Sequence, residues 1–542
     1  MTAQQIQEKA IATGQVALGV EFGSTTIKAV LTTNSGLTIA SGSYDWTNNF
    51  QNGLWTYSLD DVWLGLQSAY RQLKAQVESK YGLKLKKIKT MGFSAMMHGY
   101  LAFDNQDTLL VPFRTWRNAT TGRASRELTK LFGFNVPQRW SIAHLYQAIL
   151  DQETHVKNIS YFTTLAGYVH WQLTGEKVLG VGDASGMFPI DADTGNYNQN
   201  MIDQFSHLKA VQQYQWQIQD ILPEPRHAGD MAGHLTAAGA KKLDPTGDLM
   251  TGVIVAPPEG DAGTGMVATN STQVRTGNIS VGTSIFSMIV LEKSLKHVYS
   301  NIDIVTTPTG LPVAMVHANN SASDLNAWSK LFAEFAGMIG QNLSNAALYQ
   351  TLFNAALNDA DADADAGGLT GYGYYSGENI TAVPEGRPLL VRQPDSHFTV
   401  GNLMRLHIFS AFGAIKIGMR ILADENVLTD NIVAQGGVFK TPIVAQKLLA
   451  AALNTNITVL ANAGEGGPWG MAILALYAAN KLGGQTLDDY LAKNIFAETK
   501  AQTLAPEPRD VAGFEEFMTR YIDGLQIELT AIKALPSNQI KE

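Results

Sequence analysis

The chain has 542 residues, 45% of them apolar and 16% charged, with a formal net charge of −9 and no cysteine. Such a length exceeds one ordinary core and predicts two large domains of a globular protein. The missing Cys excludes disulfides, zinc–thiolate sites and thiol nucleophiles, and an acidic balance without a Lys/Arg block leaves no electrostatic footprint for nucleic acid. An anionic ligand gains no long-range steering here and has to be held by backbone N–H groups, helix N-termini and a metal ion. No apolar stretch approaches the roughly eighteen residues of a bilayer span. The first residues lack the basic-then-apolar pattern of a secretory signal, so the expectation is a cytoplasmic protein with no membrane partner.

In chain order, Val16–Phe22 is apolar, Gly23-Ser-Thr-Thr26 is a turn, and Ile27–Leu31 a second strand. Asn34-Ser-Gly36 turns into Leu37–Ser43 and completes a β-meander over 16–44. Helical spacing over 60–80 starts with Asp60 as N-cap, and Ile88–Ser94 follows as a buried strand. Helices are predicted at 123–132, 141–153 and 160–173, the last closed by Thr174-Gly175. Strand-like runs return at 251–256 and 278–290; helices are predicted at 323–337, 345–357 and 400–423. Ile432–Ala434 and Ile457–Ala461 are short strands, with helices from Thr441 to Asn454 and from Gly470 to Ala479, and charged helices close the chain. Strands alternating with helices indicate an α/β protein. A junction near 270–277 predicts domains at 1–272 and 273–542.

The acidic tract Asp359–Gly368 lacks an EF-hand register: a start at Asp363 puts Tyr374 at position twelve, where Glu belongs. It is read as a solvated connector. No Gly-Lys pair occurs, so a Walker-type phosphate loop is absent, as are HExxH and GxSxG.

Three glycine turns carry more. In Gly19-Val-Glu-Phe-Gly-Ser-Thr-Thr-Ile-Lys28, Gly23 lets the backbone bend close to a phosphate, and Ser24, Thr25 and the turn N–H groups can donate to its oxygens. Glu21 at the strand end can hold hydrated Mg²⁺. Ile279-Ser-Val-Gly-Thr-Ser284 repeats the pattern with Gly282, Thr283 and Ser284. Between them, Val255-Ala-Pro-Pro-Glu-Gly-Asp261 brings one carboxylate, Asp261, into a glycine-rich turn, as a base between two phosphate grips. A plain hairpin and an Asx-turn are the bland alternatives. In Ala434-Gln-Gly-Gly-Val-Phe-Lys440, Gly436-Gly437 lets a flat adenine lie on backbone, or only packs strand on helix. His98 can bond a sugar hydroxyl or fill a core position, and Trp55, Trp116 and Trp140 can stack on a sugar or pack inside. Asp183-Ala-Ser-Gly186 reads as a turn. Gly464-Glu-Gly-Gly-Pro-Trp-Gly470 spaces its glycines like a dinucleotide cradle but lacks the following strand and acid.

Together these residues resemble the FGGY family of carbohydrate kinases over roughly 16–500. The matching stretches, in order, are Gly19–Lys28, Met97-His-Gly99, Leu173-Thr-Gly-Glu176, Asp183-Ala-Ser185, Gly260-Asp-Ala262, Gly282-Thr-Ser284, Tyr375-Ser-Gly-Glu378, Gly436-Gly437 and Gly464–Gly470. The resemblance implies two actin/hexokinase-like (ribonuclease H-like) domains flanking an interdomain cleft. It implies ATP with Mg²⁺ as cofactors and transfer of the γ-phosphoryl group to a sugar hydroxyl. Asp261 is then the base, and Met97, His98 and Trp116 face the sugar. Gly23, Ser24, Thr25, Lys28, Gly282, Thr283, Ser284, Gly436, Gly437 and Gly466 belong to the nucleotide side, and Glu21 to the metal. Met97-His98-Gly99 is similar to the sugar stretch of D-xylulose kinases. The chain departs from that group at Glu21 (usually Asp), Ser24 (usually Thr), Met96 (usually Gln), and at Asn118 and Thr120 in place of Asp and Arg. A ketopentose, D-xylulose or L-ribulose, is the expected substrate. Alternatives are another polyol or a sugar acid, a non-catalytic ATP-binding relative, and an NADP-dependent oxidoreductase using Gly464–Gly470. A homodimer is expected on general grounds of symmetry.

Overall fold

The computed structural model describes residues 2–358, 360–461 and 466–536. The chain divides into two units: Met1–Thr272, Asp303–Val313 and Ala463–Thr499 form the first, and Gln273–Ile302, Ala314–Asn462 and Lys500–Glu542 the second. A single cut at 272/273 therefore misses two returns to the first unit. One packs beside Ser185, whose hydroxyl accepts the Thr306 N–H at 3.0 Å. The other carries helix Gly466–Asn480 onto strand Val16–Phe22, so close that a Cβ on Gly19 would overlap the Pro468 carbonyl.

The first unit's sheet runs Ile254–Val255, Thr90–Ala95, Val16–Phe22, Thr26–Thr33, Thr38–Asp45, and Glu259–Gly260 also pairs with Thr90–Ala95. The meander is antiparallel, while Val16–Phe22, Thr90–Ala95 and Glu259–Gly260 pair in parallel, Phe22 and Gly260 both opposite Ala95. Three segments consequently leave this sheet at one end: the turn after Phe22, the stretch after Ala95, and Asp261. Ligands of open α/β sheets bind outside such carboxyl ends. Helix Leu59–Tyr81 covers the meander with Val62, Leu66, Ala69, Tyr70, Leu73 and Val77; Ser58 caps it, not Asp60, because the Ser58 hydroxyl accepts the Asp60 N–H at 3.2 Å.

In the second unit, Ile285–Val290, Thr276–Val281, Asn431–Gly436, Asn456–Leu460 and Ala501–Leu504 follow one another in the sheet. Thr276–Val281 pairs antiparallel with Ile285–Val290 and parallel with Asn431–Gly436. Each unit thus places a hairpin next to a parallel strand, and the echo between the two glycine turns is an echo of whole sheets. The copies differ in detail. Phe22 faces Ile27 across a four-residue loop, and Val281 faces Ile285 across three.

Several elements differ from the sequence expectations. Tyr161–Thr163 is a strand and the helix begins only at Leu165, since Thr164 accepts the Gly167 N–H and caps it there; Gly175 ends it at φ 87°. Residues 437–440 form a 3₁₀ turn, so the following helix starts at Val444. Helix Ala3–Thr13, held by a capping box between Thr2 and Gln5, and strands Ile302–Thr306 and Pro312–Ala318 have no counterpart among those expectations. Helix Val400–Asp424 is long and apolar enough to cross a membrane, correcting the sequence estimate, but 72% of its apolar window is buried in the protein. Its Arg405 meets Asp510, and its Lys416 lies 2.8 Å from Glu515, as befits a core helix. Asp359 of the acidic tract, and Gly464 and Glu465 of the last glycine run, lie outside the described residues.

Candidate active site

The turn Gly23–Thr25 is fixed through its carbonyls. Trp46 Nε1 donates to the Gly23 oxygen at 2.7 Å, the Tyr57 hydroxyl to the Ser24 oxygen at 2.6 Å, and the Trp46 N–H to the Thr25 oxygen at 3.0 Å. Trp46 and Tyr57 stack with centroids 4.1 Å apart, so the scaffold is stiff. With the carbonyls taken and the Gly23 N–H donated to the Thr26 oxygen at 3.0 Å, the Ser24 and Thr25 N–H groups are what an anion can use. Trp116, half exposed, donates from Nε1 to Ser24 Oγ at 3.2 Å, which places it at this turn. Thr25 is exposed, and Lys28 lies opposite Glu21 across the hairpin.

Asp261 opens helix Asp261–Ala268 instead of sitting in a loop, because Gly260 ahead of it stays extended at φ −82°. Its Oδ1 accepts the Met97 N–H at 3.2 Å and the Ala262 N–H at 2.9 Å, leaving Oδ2 for a reacting hydroxyl. The side chain keeps solvent access, yet protein crowds around it, and that desolvation pushes its pKa up to about 6 against the pull of those N–H groups. Glu21 is half-buried; desolvation first, then the charge of Asp261, push it up to about 8, while Thr264 and Lys28 pull it down. Thr264 Oγ1 is 3.5 Å from Glu21 Oε2.

Two carboxylates stand behind Asp261: Glu259, which the sequence did not single out, and Asp183, read there as a turn residue. Glu259 is buried and accepts N–H groups from Gly182 at 3.3 Å, Asp183 at 3.0 Å and Gly260 at 3.3 Å. Asp183 is buried too; Thr164 donates to its Oδ2 at 2.7 Å, and its Oδ1 has no partner. Burial raises both to about 8, each with a neighbouring carboxylate adding to the shift. Asp183 is therefore more than a turn residue. The charged Glu259 between Pro258 and Gly260 was the available signal.

These shifts fix a sign for stability. Glu21, Asp183 and Glu259 hold protons in the folded chain, up to about 8, that the unfolded chain releases in the ordinary carboxylate range. Their contribution is complete on the acid side of that range and declines as pH rises through about 8. The ligand-free protein should therefore melt at a higher temperature near about pH 6 than near about pH 9, and Glu259→Gln should flatten the slope. A melting temperature that rises across this interval would contradict the assignment.

Met97 is buried, its backbone serving Asp261 and its side chain filling the space above Gly260 and Gly186. His98 is buried at φ 68°, stacks on Trp140 at 6.1 Å, and is held neutral by desolvation and then by Arg139, its pKa lowered to about 3. Its Nδ1 lies 3.1 Å from the Gly186 carbonyl, which can only accept. A neutral ring must then carry its proton on Nδ1, leaving Nε2 as an acceptor. Trp140 is core. Asn118 is buried and spent on backbone: its Oδ1 accepts the Trp55 N–H at 2.8 Å and its Nδ2 donates to the Trp55 carbonyl at 2.8 Å. Arg117 lies 3.8 Å over the Trp55 ring. Arg139 pairs closely with Asp303, which also accepts from Asn135 at 3.2 Å.

In the second unit a cavity of about 740 Å³ is lined by Gly282, Thr283, Leu325, Tyr349, Gly437 and Lys440 among others. Val281 faces Gly436 across parallel strands, so the Gly282–Ser284 turn and Gly436-Gly437 leave the sheet together. Gly282 N–H donates to the Ser284 carbonyl at 2.9 Å, while the Ser321 and Ala322 N–H groups hold the Thr283 and Gly282 carbonyls at 2.9 and 3.0 Å. Ser284 and Gly436 do not line the cavity, and Gly466 opens a helix of the first unit.

Sheets that deliver glycine turns to their carboxyl ends, once in each of two units, define an α/β protein that handles a phosphate-bearing ligand. The N-terminal domain of the FGGY family of carbohydrate kinases matches residues 16–267, and its C-terminal domain matches residues 277–479. The chain belongs to that family and is a carbohydrate kinase, and kinases of this family use ATP. A xylulose kinase from Haemophilus influenzae is 21% identical over 475 residues, 85% of this chain and 88% of that protein. The structure of a xylulose kinase from Rhodospirillum rubrum aligns with TM-score 0.74 at 18% identity, over 96% of this chain and 99% of that one. A gluconate kinase from Lactobacillus acidophilus aligns with TM-score 0.73 at 17% identity, over 96% and 98%. The fold is that of two actin/hexokinase-like domains.

Proposed function

We propose that the chain transfers the γ-phosphoryl group of ATP to a hydroxyl of a neutral ketopentose, D-xylulose or L-ribulose, with Asp261 as the base. The observation that carries the assignment is the Asp261 carboxyl, pinned by two N–H bonds on one oxygen and poised near about 6. A base works best with a pKa close to the operating pH. In a loose transition state the hydroxyl proton leaves late, so Asp261 orients the nucleophile and takes the proton as transfer completes. His98 Nε2 accepts a second sugar hydroxyl, and Trp116 offers a face beside it. ATP occupies the second unit's cavity, adenine toward Gly437 and phosphates toward Gly282-Thr283.

Glu21, with the charge of Asp261 nearby, fits a hydrated divalent cation. Both carboxyls are raised by burial, the charge of Asp261 adds to the shift of Glu21, and Mg²⁺ sites characteristically use one or two carboxylates plus phosphate and water. When bound, Mg²⁺ supplies neutralisation of charge on the phosphate oxygens.

Charge favours a neutral sugar over a sugar acid. Asp261 is ionised above about 6, Glu21, Asp183 and Glu259 offer no positive charge, and Arg139 is already matched by Asp303. A coupled ADP-release assay should give kcat/KM for D-xylulose or L-ribulose at least about tenfold above D-gluconate, the equivalent of ~1.4 kcal/mol. A preference for gluconate would refute this choice of substrate.

A further inference from the structure

The run Gly464–Gly470 remains unexplained by the reaction, and its glycines answer to different demands. Gly466 adopts φ 62°, a left-handed conformation that disfavours a side chain. Gly470 packs on the backbone carbonyl of Thr264, where a Cβ would overlap. Gly467 has neither reason. Its φ lies outside the left-handed region, it stands in the first turn of a 15-residue helix, and the atoms nearest to where its Cβ would be are not backbone. What a Cβ at 467 would strike is the carboxyl group of Glu21, all three of the nearest atoms belonging to that side chain.

We infer that Gly467 is a positioning residue: its missing side chain is the slot that receives the Glu21 carboxyl and aims it, together with Thr264, toward the metal-bearing phosphates. This rests on Glu21 being the metal-facing acid of the proposed reaction. The slot is matched in length. Glu21 reaches from strand Val16–Phe22 to the first turn of helix Gly466–Asn480, where its carboxyl occupies the space a Cβ at 467 would take. Nothing in the backbone forbids alanine at 467, and alanine is the better helix former. A methyl group there displaces the mobile end of Glu21 rather than the fold. The aspartate side chain, one methylene shorter, stops before the slot and tolerates the methyl group.

The test uses the full-length wild type, Gly467→Ala, Glu21→Asp and the double variant, with ADP present and Mn²⁺ as a paramagnetic probe of the metal position. Gly467→Ala should weaken Mn²⁺ binding and lower turnover by about 10–100-fold, the usual effect of disturbing the support of a metal-facing group. The ligand-free melting temperature should be unchanged or higher. Adding Glu21→Asp should restore most of the Mn²⁺ affinity, a coupling that independent sites do not show. Wild-type Mn²⁺ affinity in Gly467→Ala, or a double variant as weak as Gly467→Ala, overturns the inference. So does a melting temperature lowered equally in both, which marks a merely structural glycine. Unaltered Mn²⁺ binding in Glu21→Gln sinks the underlying assignment of Glu21 instead.

Discussion

Asp261→Asn should lose sugar phosphorylation by about 10²–10⁴-fold, the usual contribution of a positioned general base, while its affinity for ATP stays near wild type. The amide keeps an oxygen in place of Oδ1, so the bonds from Met97 and Ala262 survive and helix Asp261–Ala268 still starts at the same residue. What disappears is the basic second oxygen. The cavity beside Gly282 and Gly437 belongs to the other unit and is untouched. The loss should therefore fall on kcat, with ATP binding measured by calorimetry unchanged. In the wild type, turnover should fall as pH drops through about 6, because the ionised form is the working form. A variant with near-normal kcat, or a pH profile flat through that region, would remove Asp261 from the chemistry.

Gly436→Ala and Gly437→Ala should part company. Gly436 sits at φ 129°, ψ 172°, a region that is essentially glycine-only, and a Cβ there overlaps the Val281 carbonyl across the parallel strands. Strain of this kind costs on the order of 1–3 kcal/mol, and it falls where strand Asn431–Gly436 meets the nucleotide turn. The variant should melt earlier and bind ATP poorly. Gly437 has open space around it and lines the cavity, so alanine there should leave the melting temperature alone and raise the ATP KM by intruding on the adenine face. Unchanged melting in Gly436→Ala would mean that the strand end relaxes freely. Unchanged KM in Gly437→Ala would mean that the nucleotide lies elsewhere.

How far the residues alone foretell this site depends on how local the determining contacts are. The hairpin around Gly23 is legible because a strand, a glycine turn and a returning strand are neighbours in sequence. The repeat at Gly282 is legible for the same reason, and the two together point to phosphate. Asp261 is legible through its glycine flanks, although its helix start is not, since that depends on Gly260 pairing with Ala95 far upstream. Glu259 is hidden because it is held by N–H groups 76 and 77 positions away, and the same contacts make Asp183 more than the turn residue its neighbours suggest. Asn118 is hidden too. The sequence marks it only as standing where the family has Asp, and both ends of its amide are committed to the Trp55 backbone, a role that no local pattern announces. Helix Gly466–Asn480 continues the second half of the sequence but packs in the first unit, and no local pattern announces such a return.

The claim at the centre of this account is phosphorylation of a neutral sugar by ATP with one acid as base. The most direct measurement is ³¹P NMR of the full-length protein incubated with ATP, Mg²⁺ and D-xylulose or L-ribulose. A sugar phosphate ester should appear in step with ADP, with no inorganic phosphate beyond the sugar-free control. ADP and inorganic phosphate released at the same rate with or without either sugar, in a protein that binds ATP, would contradict it.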